Sequence, residues 1–177
     1  MEKTNDTTPR AWIGCLACYN AGSLIGDWFD AVAADEVTTY DIHGRASSHD
    51  EMWVMDHENI PVKGEMSPAD AAAWGQVYTE VDPEHWPALC AWVESGDYVA
   101  EGTVDEVTLA DFEERYCGEW ESFEDYAREL ADKIGLLNDV PEEIARYFDW
   151  DSWTRDLAFD YSTHDNPEGG VFVFRVL

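Results

Sequence analysis

The sequence predicts an α+β fold built from three small domains, with short antiparallel sheets near its two ends and helices between them. Apolar and polar residues alternate in AWIGCLAC (residues 11–18) and in GGVFVFRVL (residues 169–177), as they do in half-buried strands. Between these two stretches, capping residues repeatedly precede apolar residues at helical spacing. Changes in these patterns divide the chain into domains 1–62, 63–112 and 113–177.

The first domain combines strand patterns with long connections. The strand at residues 11–18 is followed by the turn-forming residues YNAG, and then by residues 23–37, whose apolar spacing fits a loop or an irregular helix. EMWVMDH (residues 51–57) predicts a second strand, which is closed by Ile60 and Pro61. We therefore expect a small sheet that carries one helix.

The second domain has the signals of consecutive helices. Ser67 followed by Pro68 is typical of an N-cap and the first helical position. The next helix is expected to begin at residues 82–83 (DP) and to end at residues 95–96 (SG), and a third is expected to begin near Thr108. This part of the chain is therefore predicted to be helical throughout.

The third domain is predicted to contain helices and a C-terminal hairpin. Ser122 caps SFEDYARELADKIG, in which apolar residues recur at helical spacing. Asp139 and Glu142 have the spacing of a capping box, and Asp151 predicts the start of a further helix. The strand at the end of the chain is expected to pair with YSTHD across a turn rich in Pro and Gly.

The charge of the chain is extreme for a protein with so many apolar residues. Its 177 residues include 39 acidic and 10 basic side chains, which gives a formal net charge of −29. Hydrophobic residues make up 45% of the sequence and nine residues are Trp, so the composition is not that of a disordered acidic tail. We expect a folded protein that tolerates a large self-repulsion.

The same charge narrows the choice of partners. Proteins that bind nucleic acids through phosphates need clustered Lys and Arg residues, which this sequence lacks, and an anionic membrane surface would repel it. No stretch approaches the roughly 18 to 20 apolar residues of a membrane helix, and the polar N-terminus lacks an apolar signal segment. We expect a cytoplasmic protein with a basic macromolecular partner.

The four cysteines favour buried thiols over a metal site. Cys15 and Cys18 form a CxxC motif, but Cys90 and Cys117 are isolated, so the paired motifs of a zinc ribbon are absent from the sequence. Free Cys packs as a small apolar residue, which suits the strand pattern around Cys15. We expect no metal and no cofactor, and stoichiometric zinc in the purified protein would contradict that expectation.

The sequence contains no recognisable catalytic motif. Nucleophile-elbow, dinucleotide-binding, P-loop, zinc-protease and kinase patterns are all missing, and the five His residues are scattered. His57, between Asp56 and Glu58, is the one with a carboxylate-rich setting, and we expect a hydrogen-bonded or solvated loop residue there. A carboxylate-based, metal-assisted hydrolase remains an alternative, although it needs a concave site with a few perturbed acids.

The spacing of the acidic residues is more informative than any single one. Between residues 94 and 151 they recur at i,i+3 and i,i+4, where helical neighbours stand about 5 to 6 Å apart, close to the spacing of successive phosphates. Duplex DNA carries one charge per about 1.7 Å, so the net charge of the chain matches roughly 50 Å of duplex. A solvated helix face or a halophilic surface would also be acidic, but either needs a smaller excess.

Several segments of the chain resemble those of ArdA-type antirestriction proteins, in the same order. They cover nearly the whole chain, which makes the resemblance more specific than any one motif. The segments are YNAGSLIGDWFDA (19–31), EMWVMDHENIP (51–61), RYCGEWESFEDYA (115–127), ARYFDWDSWTRDLAFDY (145–161) and VFVFRV (171–176).

The resemblance implies an elongated, dimeric protein of three small domains that mimics bent B-form DNA. Such a protein occupies the DNA-binding groove of type I restriction–modification enzymes and blocks them without catalysis. It is typically carried by a plasmid, a conjugative element or a phage. The N-terminal extension and HGRASSHD (residues 43–50) depart from the pattern of the family.

We call the carboxylates expected to act as phosphate surrogates the acidic set, and we expect the binding energy to be spread over many of them. Its members are Asp105, Glu106, Asp111, Glu114, Glu119, Glu121, Glu124, Asp125, Glu129, Asp132, Glu142 and Glu143. The segment at residues 136–148 (LLNDVPEEIARYF) mixes apolar and charged residues, and its expected dimer contacts are Leu136, Leu137, Val140 and Ile144. The alternative is that the protein is an acidic decoy for a different basic DNA-binding protein, which would also be attracted by the negative charge.

Overall fold

The computed structural model describes residues 6–96 and 104–176, with the backbone alone at residues 104–108. Contacts divide the chain into two compact units, an N-terminal unit (Met1–Ala110) and a C-terminal unit (Asp111–Leu177). Each unit contains a three-stranded antiparallel sheet with helices, which confirms the predicted α+β class. The division into three domains stays a prediction. No helix in the described ranges is long and apolar enough to cross a bilayer.

The N-terminal unit alternates short strands and helices. A 3-10 helix at Ala31–Glu36 follows the second strand. The other elements, in chain order, are β1 (Arg10–Cys15), α1 (Leu16–Asn20), β2 (Gly26–Asp30), α2 (Thr39–His43), β3 (Met52–Glu58), α3 (Pro68–Glu80), α4 (Trp86–Ser95) and the first part of α5 (Val104–Arg115).

The sheet of this unit has the order β2-β1-β3, with both neighbours of β1 antiparallel to it. The strand predicted at residues 11–18 ends early, because the chain turns into α1 directly after Cys15. The predicted bounds of β3 are confirmed almost to the residue, but β2 lies inside residues 23–37, where the sequence predicts a loop or an irregular helix. Within residues 23–37, the expectation of an irregular helix is correct only for the 3-10 helix at Ala31–Glu36.

Helix α3 covers the sheet through a close contact with the 3-10 helix. The predicted N-cap at Ser67 is confirmed, and Asp70 completes a capping box with it. Trp74 and Val77 are buried on the inner face of α3. Between them, a Cβ on Gly75 would lie 2.2 Å from the backbone nitrogen of Val32, so the two helices approach at a distance that only glycine permits.

Helix α4 closes the core of this unit with Trp86 and Trp92, each 1% exposed. The indole nitrogen of Trp86 donates a hydrogen bond to the carbonyl oxygen of Asn59 at 3.2 Å. The helix begins at Trp86 and not at residues 82–83, where a turn stands instead. Its predicted end is confirmed, because Gly96 adopts the left-handed conformation directly after it.

The C-terminal unit also surrounds a three-stranded sheet. A 3-10 helix at Ala158–Asp160 precedes its hairpin. The other elements after α5 are β4 (Tyr116–Trp120), α6 (Phe123–Lys133), α7 (Glu142–Ala145), α8 (Trp150–Leu157), β5 (Tyr161–Asp165) and β6 (Val171–Arg175).

The second sheet has the order β4-β6-β5 and is antiparallel throughout. The predicted pairing of the C-terminal strand with YSTHD is confirmed. Strand β4 is not predicted by the sequence pattern, and it makes β6 the central strand. The side chains of Phe172, Phe174 and Phe112 are each no more than 2% exposed, so the core of the unit lies against β6.

The predicted helix starts of this unit have mixed outcomes. Ser122 caps α6, as predicted. The capping box expected at Asp139 and Glu142 is wrong, because Pro141 is the N-cap residue of α7 and makes no side-chain cap. Helix α8 is capped by Asp149, whose carboxylate accepts a hydrogen bond from the backbone nitrogen of Ser152, so the start predicted at Asp151 lies too late.

Candidate partner-binding surface

Helix α6 separates apolar and charged side chains onto opposite faces. Tyr126, Ala127 and Ala131 are buried, and the ring of Tyr126 packs against those of Trp120 and Tyr161 at 5.5 and 5.1 Å between centroids. The aromatic contacts fix one face of the helix on the core, so its acidic residues stand on the solvent side.

The acidic set lies almost wholly on the surface of the C-terminal unit. Asp111 is half-buried, whereas the remaining members with described side chains are exposed. Asp105 and Glu106 belong to α5, but their side chains lie outside the described residues. The described members are Asp111 and Glu114 on α5, Glu119 on β4, Glu121 directly after it, Glu124, Asp125, Glu129 and Asp132 on α6, and Glu142 and Glu143 in the first turn of α7.

Few of the described carboxylates have a basic neighbour. The side chains that the structure describes form three ion pairs, and of the acidic set only Glu129 belongs to one of them. All three pairs are solvent-exposed, a setting in which an ion pair contributes little. Basic side chains in the described part of the chain therefore do not neutralise this acidic surface. The pairs are Arg10–Asp30 at 3.9 Å, Lys133–Glu129 at 3.8 Å and Arg155–Asp156 at 3.6 Å.

Some carboxylates have a local structural role. Asp41 and Asp149 accept hydrogen bonds at the starts of α2 and α8, and the bonds from Thr38 and Ser152 lower the pKa of each carboxyl group. Asp125, a member of the acidic set, likewise accepts a 2.5 Å hydrogen bond from the Ser122 hydroxyl at the start of α6. Neutralising Asp125 would thus change helix capping as well as charge.

Three glutamates surround an open depression at the end of β4. Gly170, which has a φ of +85°, allows the β5–β6 turn to approach, since a Cβ there would lie 2.3 Å from the carbonyl oxygen of Trp120. The indole nitrogen of Trp120 donates to the carbonyl oxygen of Cys117 at 3.0 Å, which fixes the ring. We call this site the Trp120 depression; it is lined by Glu119, Trp120, Glu121, Glu168, Gly169 and Gly170.

Glu168 is a candidate residue that sequence reasoning missed. It stands in the turn between β5 and β6, where its backbone nitrogen donates to Oδ1 of Asn166 at 3.0 Å. The Pro/Gly composition marks that turn in the sequence, but it does not show that the turn approaches β4, a strand that the sequence pattern does not predict. The three glutamates and an indole ring together form a setting that suits a Lys or Arg side chain.

The segment at residues 136–148 leaves apolar side chains in contact with solvent. Leu136, Leu137 and Val140 are half-buried, whereas Ile144 is 61% exposed. Tyr147, in the turn after α7, is 83% exposed and is not among the predicted dimer contacts. The four predicted residues and Tyr147 therefore lie in one segment. Part of the apolar surface of this segment is exposed to solvent in a single chain.

The cysteines lie differently from the sequence-based expectation in one respect. Cys15 and Cys18 are buried, as expected, but His43 and His49 lie beside them. Nδ1 of His49 is 3.3 Å from the sulfur atoms of both Cys15 and Cys18. The sequence separation of the CxxC motif from the two histidines conceals this cluster, since no local spacing connects them.

The exposed carboxylates suit electrostatic attraction better than proton transfer. A carboxyl group that acts as a general acid near neutral pH is usually removed from water, so that its neutral form is favoured. The members of the acidic set with described side chains, apart from the half-buried Asp111, stand instead in solvent and are spread over α5, β4, α6 and α7. Such a surface attracts cationic side chains over a wide area.

Comparison with protein families identifies one family over nearly the whole chain. A family model described as "Antirestriction protein (ArdA)" matches residues 11–172. The matched range includes the acidic set, the Trp120 depression and the 136–148 segment. No curated protein matches the chain.

Proposed function

Because the chain belongs to the ArdA family of antirestriction proteins, we propose that it mimics B-form DNA and occupies the DNA-binding groove of a type I restriction–modification enzyme. Occupation of that groove would block restriction and modification alike. The observation that carries the proposal is the exposure of carboxylates on α5, β4, α6 and α7, with few ion pairs among the described side chains.

The proposed contacts are those that DNA phosphates make. Most hydrogen bonds between proteins and DNA go to phosphate and sugar, and Lys and Arg supply many of them. A carboxylate offers the same cations two acceptor oxygens and a full negative charge. A surface of such groups also raises the rate of encounter with a positively charged groove.

The Trp120 depression is proposed as one point of contact with a cationic side chain. Glu119, Glu121 and Glu168 would pair with a Lys or Arg of the enzyme, and the face of Trp120 would add a cation–π contact. Elsewhere on the acidic set, we expect single carboxylate–cation contacts of modest energy.

A displacement experiment tests the proposal. The purified protein is mixed with a type I restriction–modification enzyme and its labelled target DNA, and both DNA release and DNA cleavage are followed. We expect stoichiometric displacement and loss of cleavage. Because screening weakens contacts between exposed charges, the affinity is expected to fall at least about 100-fold between about 50 and about 300 mM salt.

Three other outcomes would each contradict the proposal that the protein binds this enzyme as a mimic of DNA. Displacement that is equally strong at both salt concentrations would contradict a DNA mimic. Destruction of the DNA or of the enzyme by a catalytic amount of the protein would favour the hydrolase alternative. Absence of displacement by a folded sample, together with binding to an unrelated basic DNA-binding protein, would favour an acidic decoy with a different partner.

We further propose that the protein forms a homodimer through the 136–148 segment. Ile144 and Tyr147 expose most of their side chains, and burial against a second copy would remove that apolar surface from water. A dimer would also double the length of DNA that the charge can match.

The cytoplasm, where restriction enzymes meet incoming DNA, is the proposed location.

The double substitution Ile144→Asn and Tyr147→Ser is expected to convert the dimer to a monomer. Both side chains are exposed in the single chain, so the change should leave folding intact. Light scattering after size-exclusion chromatography measures the mass, and circular dichroism checks the fold. Phe159→Ser is the matched control, because Phe159 is 80% exposed in the same unit but lies outside the segment. A dimer that survives the double change would place the interface elsewhere.

A further inference from the structure

We propose that Cys15, Cys18, His43 and His49 bind one structural Zn²⁺ ion in the N-terminal unit. This inference is independent of the proposed function. The observation that carries it is that one ligand atom from each of these four side chains lies within 4.8 Å of the other three. Four ligand atoms around one Zn²⁺ ion would stand about 3.5 Å apart at tetrahedral geometry.

The backbone of the unit builds this cluster from three separate stretches. Cys15 is the last residue of β1, and its sulfur accepts a 3.4 Å hydrogen bond from the backbone nitrogen of Cys18. The tight turn into α1 therefore brings the two sulfur atoms together. Hydrogen bonds from backbone nitrogen to sulfur stabilise the thiolate form that a metal requires.

The histidines come from the segment after the first 3-10 helix. His43 is the last residue of α2, which Thr38 and Asp41 hold with a reciprocal capping box. Gly44 then turns the chain in the left-handed conformation, and the loop returns to place His49 beside the sulfur atoms. The two imidazole rings stand 5.8 Å apart between centroids, edge to face.

One ring nitrogen of the cluster is buried without a partner. Nε2 of His43 is excluded from solvent and forms no hydrogen bond with the described residues. A buried polar atom without a partner costs free energy unless something else satisfies it. A bond from this nitrogen to a cation held by the cluster would satisfy it.

The donor set selects the metal and its role. Two thiolates and two imidazoles in a tetrahedral arrangement are typical of Zn²⁺, whereas Ca²⁺ and Mg²⁺ prefer oxygen ligands. Four protein ligands fill the coordination sphere of zinc and leave no position for water or substrate, so the site would be structural and not catalytic. The ion would tie α1 and the loop after α2 to the end of β1.

Metal analysis and cobalt substitution test the site on the whole protein. The chain is purified under reducing conditions without chelators, and its metal content is measured by mass spectrometry. We expect one zinc ion per chain. After zinc is removed, Co²⁺ should give the visible spectrum of a tetrahedral site with sulfur-to-metal charge-transfer bands, and added Zn²⁺ should abolish it. A protein free of zinc whose reduced form gives no such spectrum would overturn the proposal.

Variants assign the ligands. His49→Gln and Cys18→Ser are expected to lower zinc affinity at least about 100-fold in competition with a chelator. His57→Gln and Cys90→Ser, which change the same residue types outside the cluster, should bind zinc as the natural sequence does. Retention of zinc by both cluster variants would also overturn the proposal. Should either variant fail to fold, the cobalt spectrum of the natural sequence still decides whether sulfur and nitrogen ligands surround the ion.

Discussion

A variant that lacks six exposed carboxylates of the acidic set is expected to bind a type I restriction–modification enzyme about 100-fold more weakly than the natural sequence, which corresponds to about 0.5 kcal/mol for each carboxylate. Contacts between exposed charges typically contribute between about 0.2 and 1 kcal/mol each, and tenfold in affinity corresponds to about 1.4 kcal/mol. Any single change is therefore expected to cost no more than about fivefold. The six changes are Glu114→Gln, Glu119→Gln, Glu121→Gln, Glu124→Gln, Asp132→Asn and Glu142→Gln.

These six residues are chosen so that their substitution changes the surface charge without disturbing the fold. All six side chains are exposed, and none takes part in a described ion pair or helix cap. Asp125 and Glu129 are left unchanged, because the first accepts a hydrogen bond from Ser122, the residue that caps α6, and the second pairs with Lys133. Affinity is measured by displacement of labelled DNA at fixed salt, with circular dichroism as the check on folding.

A second variant with the same net charge is the matched control. It loses six exposed carboxylates of the N-terminal unit, which lie outside the acidic set. We expect it to bind at least about tenfold more tightly than the first variant. Equal losses would show that total charge and not the acidic set determines affinity, and a single substitution that abolished inhibition would contradict the distributed contacts. The control changes are Asp35→Asn, Glu36→Gln, Glu51→Gln, Glu58→Gln, Glu65→Gln and Glu84→Gln.

Phe174→Ala is expected to lower the free energy of unfolding of the C-terminal unit by about 3 to 5 kcal/mol. Phe174 is fully buried on the central strand β6, and its ring lies 5.3 Å from that of Tyr116 and 6.0 Å from that of Phe112. The substitution removes all of these contacts and leaves a cavity. Such a loss is a large part of the stability of a small unit.

Urea denaturation followed by circular dichroism measures the effect of Phe174→Ala. Phe159→Ala is the control, because it removes the same side chain from an exposed position, and it is expected to change stability by less than about 0.5 kcal/mol. We also expect Phe174→Ala to reduce inhibition of the enzyme, since the elements that hold the acidic set rest on this core. Equal stability of the two variants would contradict the assignment of the core to β6.

Local signals in the sequence predict those helices that have a capping residue at their start or a glycine at their end, and those strands in which apolar and polar residues alternate. Ser67 and Ser122 cap their helices, Gly96 ends one, and the C-terminal hairpin pairs as expected. The pattern fails where it gives no such signal. The side chains of β2 and β4 are mostly half-buried, so the alternation in these two strands is too weak to be recognised, whereas the equally short β5 is recognised through the Pro/Gly turn that joins it to β6.

The candidate sites show the same division. Exposure of the acidic set follows from charge and helical spacing along the chain, which are local properties. The Trp120 depression and the cluster of Cys15, Cys18, His43 and His49 depend on the approach of distant segments. No spacing in the sequence encodes that approach, because it is set by sheet pairing and by turns such as those at Gly44 and Gly170.

The scarcity of ion pairs among the described side chains has a consequence for the energetics of complex formation. In the free protein, like charges on the surface repel one another, which disfavours the compact state. A partner that brings cations to that surface relieves the repulsion at the same time as it forms contacts. Part of the affinity would then come from the relief of this electrostatic repulsion in the free protein, and the complexed protein should be harder to unfold than the protein alone.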